Sequence, residues 1–143
     1  MKGVITFACA AAIALGGTLA AQAQGMKTTI MSEADYSKNM KEVGSTNTGL
    51  RGAGAAPTDD NVKAAQRLNA IFKDVQAYWE GRKVDDAIGF AKAAVAATDD
   101  LGKALTAKDA AAAGAAQKTL AAQCAGCHMA HREKTPDGTF KMK

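Results

Sequence analysis

Cys124-Ala125-Gly126-Cys127-His128 is the part of this 143-residue chain whose residue types and spacing can do chemistry. On a helix, positions 124, 127 and 128 share one face. Two thiols one turn apart can add to the two vinyl groups on one edge of a porphyrin, and the next imidazole can then meet the iron from the same side. Ala125 and Gly126 are too small to obstruct that approach. The pattern is the C-x-x-C-H of covalent haem attachment, and it predicts one haem c on Cys124 and Cys127 with His128 as iron ligand. Two other chemistries use similar residues. Thioredoxin-like disulfide exchange needs a strand–helix–strand setting that this sequence does not suggest. Structural zinc needs four ligands in tetrahedral array, whereas Cys124, Cys127, His128 and His131 crowd onto one helical segment. A structural disulfide over so short a loop would constrain the unfolded chain little.

The start of the chain bears on where this chemistry happens. Lys2, an apolar run over Val4–Ala14 and the small-x-small pattern Ala21-Gln22-Ala23 read as a secretory signal peptide over residues 1–23. The run is short for a membrane span of roughly 20 residues. Removal of this segment takes Cys9 with it and leaves two cysteines in a single domain over residues 24–143. The net charge of +4 becomes +3 without Lys2. No basic stripe interleaved with aromatics suggests nucleic acid, and no mature segment suggests stable membrane insertion. The expected location is the periplasm or an equivalent exported space.

The elements that must position the motif are helices. The chain is alanine-rich, with two prolines, and alanine favours helix over strand. Four amphipathic segments follow the helical period. The first runs from about Glu33 to Ala53, capped by Ser32 with Asp35 three residues on, and marked by Tyr36, Met40, Val43 and Leu50. The second is capped by Thr58, carries Val62, Ala65, Leu68, Phe72, Val75 and Trp79, and ends at Gly81. The third starts near Val84, with Ala87, Ala91, Ala94, Thr98, Leu101 and Leu105 on its stripe. The fourth runs from about Ala110 to Glu133 through both cysteines. Pro136, Asp137 and Gly138 close it and leave a short basic tail. Short connections predict an all-α, antiparallel four-helix bundle. Its core would be poor in large side chains, since the chain has one Trp, two Tyr and four Phe, and a planar cofactor would supply the missing apolar volume. Trp79 is expected in the core, lying against the porphyrin.

A C-x-x-C-H on the last helix of such a bundle resembles the cytochrome c′ family. Ordinary small cytochromes c carry the motif near the N-terminus instead. The resemblance spans residues 24–143. It includes Arg132, four residues after His128 where the family typically has a basic residue, and His131, where an aromatic residue is common. The segment Tyr36-Ser37-Lys38-Asn39-Met40-Lys41 resembles the family's distal side. By that match Met40 faces the iron opposite His128. Many members have a non-coordinating apolar residue there and bind gases at five-coordinate iron, while members with Met are low-spin electron carriers. Tyr36 departs from the pattern, standing where the family often has an arginine near a haem propionate. Arg132 is placed to shield His128 or meet a propionate. The resemblance also implies redox partner proteins, and members are often homodimers.

Among other thioethers and imidazoles, Met129 and His131 share a helix with His128 and cannot wrap around the ring. Met26 and Met31 precede the first helix cap, and nothing in the sequence fixes Met142. Met40, on the core-facing stripe of another helix, is either the sixth ligand or a gap-filler. The expected function is single-electron transfer by a haem with His128/Met40 ligation, not enzymatic catalysis. The alternative is a five-coordinate protein that binds nitric oxide or carbon monoxide. A peroxide-consuming enzyme would need a distal His or Arg that this sequence does not offer.

Overall fold

A computed structural model describes residues 28–52 and 56–143, and the expected leader over residues 1–23 lies outside them. Four helices form: α1 (Glu33–Gly52), α2 (Asp59–Arg82), α3 (Asp85–Thr106) and α4 (Ala110–His131). Three of the four starts have a side-chain cap, and α3, which follows Val84, has none. The Ser32 hydroxyl accepts the Asp35 amide at 3.1 Å and donates to the Asp35 carboxylate at 2.8 Å. Thr58 accepts the Asn61 amide at 3.2 Å, and Asp109 accepts the Ala112 amide at 2.9 Å. These bonds satisfy amides that a helix cannot satisfy itself. Acidic side chains in the first turns of α2 and α3 complement the helix dipole.

The helix α2 runs through Gly81 to Arg82, and Lys83 takes the left-handed conformation (φ 58°) that reverses the chain. Only two residues join α2 to α3 and three join α3 to α4, so these neighbours are antiparallel. Alanines at 65, 87, 91, 94, 97 and 113 are buried and let the backbones approach closely, with Leu68, Ile71, Leu101, Leu105 and Leu120 filling between them. The helices α2, α3 and α4 pack extensively, whereas α1 leans on α2 and meets α3 and α4 little. Tyr36, Val43 and Leu50 supply its apolar contact. Polar ties join the same pair of helices. Arg67 grips Glu42 with two bonds of 2.6 and 2.9 Å. The segment before α1 is pinned to Asp74, whose carboxylate takes the Thr29 amide at 2.7 Å, and Ile30 is buried.

The all-helical expectation needs one correction. The helix α4 stops at His131, not Glu133, and the basic tail folds into a hairpin of β1 (Arg132–Lys134) and β2 (Phe140–Met142). Arg132 pairs with Met142, Glu133 with Lys141 and Lys134 with Phe140. Gly138, at φ 84°, supplies the turn, a conformation costly for residues with a Cβ. Asp137 accepts the Thr139 amide at 3.1 Å, and Lys141 bridges to Glu133 at 2.8 Å. Pro136-Asp137-Gly138 was legible as a turn, but three-residue strands are too short to register a period of two.

Candidate haem site

Because α1 stands away from α3 and α4, the bundle holds a cavity of about 740 Å³. Its α4 wall carries Cys124, Cys127, His128 and His131. Its α1 wall carries Tyr36, Met40, Val43, Asn47 and Arg51. Phe72 and Trp79 of α2, and Phe90, Ala91 and Ala94 of α3, complete the apolar part, and Arg132, Phe140 and Met142 close the hairpin end. All seven residues expected from the sequence (Tyr36, Met40, Trp79, Cys124, Cys127, His128 and Arg132) line this one space. One wall comes from the beginning of the described chain and the other from its end.

The thiols are free and half-buried. Burial pushes Cys127 up to about 11, with Cys124 and Asp86 adding to it. Burial also raises Cys124, against the pull of Arg51. A dithiol built for disulfide exchange needs the reverse, a thiol acidified by a helix N-terminus or a nearby cation; these thiols sit in the C-terminal half of α4. For His128, burial first and then the Arg132 charge hold the imidazole below its ordinary value. It is therefore neutral near pH 7, with a lone pair free to bind a metal. Among the described residues no three His, Cys, Asp or Glu side chains converge to hold a metal ion. A macrocycle that brings its own donors would need fewer from the chain.

Met40 is half-buried and packed against the core. Met31 and Met129 are 83% and 75% exposed. Met142 is held in place, contrary to the sequence expectation, because the hairpin carries it to the Tyr78 hydroxyl, which donates to Sδ at 3.7 Å. His131 bonds Asp86 at 3.0 Å and packs against Trp79, the rings tilted at 41° with centroids 5.3 Å apart. Trp79 is buried, and its indole N–H donates to the Tyr36 hydroxyl at 3.2 Å. The Arg132 guanidinium lies 4.1 Å over the Phe140 ring.

Sequence reasoning missed Phe90, Asn47, Arg51 and Phe140. Asn47 was detectable as a polar residue on the face of Tyr36, Met40 and Val43. Phe90 stands beside the alanine stripe of α3, where the alanines leave room for its ring. That ring explains the glycine in the motif. A Cβ on Gly126 would lie 2.5 Å from a Phe90 ring carbon, so a larger residue there would have to displace the Phe90 ring. Gly126→Ala should cost about 1–3 kcal/mol of overpacking, partly offset by about 1 kcal/mol of helix propensity. In a Phe90→Ala background the same change should become neutral or stabilising. Urea titration of the four variants checks this, and an equal cost in both backgrounds would refute the contact.

These residues fit a haem. The walls are largely apolar and aromatic, with two thiols and one neutral imidazole on a single helical face. Comparison of the chain with family models, curated proteins and solved structures gives no match.

Proposed function

We propose that this chain is a monohaem c-type cytochrome that carries single electrons, of the low-spin Met-ligated kind that the cytochrome c′ resemblance suggests. The observation that carries the reading is the sharing of one apolar cavity by Cys124, Cys127 and His128 on α4 and Met40 on α1. Haem, when bound, supplies an iron that takes up and releases one electron. The chain's part is to hold and insulate. The thiols of Cys124 and Cys127 retain the ring where dissociated haem would be lost, and the neutral His128 offers its lone pair. The Met40 thioether would be the second protein donor to the iron, a ligation that raises the potential. Phe72, Trp79, Phe90 and the alanines of α3 keep water away from the centre.

Attachment of this type takes place outside the cytoplasm, in keeping with the leader pattern over residues 1–23 and a periplasmic protein. Among the described residues no helix is long and apolar enough to cross a membrane. The partners would be redox proteins, with a homodimer as the further association the resemblance suggests.

Acid–acetone extraction followed by intact-mass measurement tests the reading. One haem should stay on the polypeptide, and its complete extraction would overturn covalent attachment. The ferric spectrum then separates the two cytochrome readings. A low-spin spectrum with the weak near-infrared sulfur-to-iron band supports the electron carrier. A high-spin spectrum supports the five-coordinate binder of nitric oxide or carbon monoxide.

A further inference from the structure

A tyrosine hydroxyl can accept hydrogen bonds and donate one. That of Tyr36 accepts the Trp79 indole N–H at 3.2 Å, the only bond it makes among the described residues. The Tyr78 hydroxyl, by contrast, donates to the Met142 thioether. The Tyr36 ring cannot swing away to find an acceptor. It is 9% exposed, with Tyr78 at 5.0 Å and Trp79 edge-on at 5.7 Å between centroids. Burial pushes this hydroxyl up to about 12, so it keeps its proton across the ordinary pH range. Tyr36 lines the cavity one helical turn before Met40, on the same face of α1.

We propose that the Tyr36 hydroxyl, fixed by Trp79, is a hydrogen-bond donor to a small anion that enters the cavity beside Met40. The inference rests on the haem reading, since the anion would need an iron position that Met40 does not occupy. Donation from Trp79 polarises the Tyr36 O–H and strengthens it as a donor. The surrounding charge favours the same class of ligand. Lys41, Arg51 and Arg132 line the cavity against a single carboxylate, Glu33, while the Lys141 ammonium at the rim is paired with Glu133. Carbon monoxide, a weak acceptor, gains little from such a site.

The test uses haem-loaded ferric protein carrying Met40→Ala, which opens the position, with fluoride as the probe. Adding Tyr36→Phe should weaken fluoride binding about tenfold to a hundredfold, the size of a lost bond to a charged acceptor. Carbon monoxide affinity of the ferrous protein should change less than about threefold, and the stretching frequency of the bound gas should rise. Tyr36→Phe leaves the Trp79 indole without an acceptor, so Tyr36→Phe/Trp79→Phe, with both partners removed, serves as the folded control and should show the same fluoride loss. Unchanged fluoride affinity in haem-loaded protein overturns the inference and leaves the cytochrome reading intact. A shift only in the pH dependence of the reduction potential also overturns it, assigning the hydroxyl to a haem carboxylate instead. Protein that carries no haem overturns the reading and the inference together.

Discussion

Replacing Met40 by alanine should turn a low-spin ferric spectrum high-spin and abolish the near-infrared sulfur-to-iron band. Carbon monoxide should bind the ferrous wild type slowly, limited by departure of the thioether, and the variant fast. The reduction potential should fall by on the order of 0.2 V, a fraction of the roughly 0.8 V range that axial ligation spans, because a thioether favours ferrous iron. The structural basis is the α1 face that puts Tyr36, Met40, Val43 and Asn47 on the cavity wall. Folding should suffer modestly, since Met40 is only half-buried. Stopped-flow mixing with the gas, alongside a spectroelectrochemical titration, measures both effects. A wild type that is already high-spin, with a variant indistinguishable from it, would reduce Met40 to packing and leave the gas-binding reading standing.

A chain expressed without residues 1–23 should accumulate haem-free in the cytoplasm and fold only in part. The helices α2, α3 and α4 share a core of leucines and alanines, of which only Ala91 and Ala94 also face the cavity, so most of the helical signal should survive. The helix α1 should not hold its place. It leans mainly on α2 and contains Gly44 and Gly49, each up to about 1 kcal/mol worse than alanine in a helix interior. Hydrogen exchange should therefore show α1 amides exchanging much faster than those of α3, and haem attachment should slow them. Haem-free protein in which α1 is as protected as α3 would show that α1 docks without a cofactor.

Much of the fold was legible because the alanine-rich helices keep a clean period. Every residue expected on the α3 stripe is buried, from Ala87 to Leu105. The caps at Ser32 and Thr58 follow from local chemistry and needed no tertiary information. The motif on α4 was legible for the same reason, since its five residues act within one turn and a half of helix. What escaped depends on contacts distant in sequence. That Phe90 occupies the place of a Cβ on Gly126 follows only once α3 and α4 are packed. The capture of Met142 by Tyr78 needs the chain to return across 64 positions. The position of Gly81 suggested a helix end, yet α2 continues because Lys83 accepts the left-handed turn.

The walls of the cavity come from opposite ends of the described chain, and Met40 and His128 stand 88 positions apart. An iron bonded to both side chains would therefore be a cross-link, closing most of the domain into a single loop. Chain-entropy reasoning puts such a closure at roughly 4–5 kcal/mol when it persists in the unfolded chain. Unlike a disulfide, this clasp would tighten when an electron arrives, because a thioether prefers ferrous iron. The resistance of the protein to denaturant would then depend on its oxidation state, with α1 held more firmly in the reduced protein.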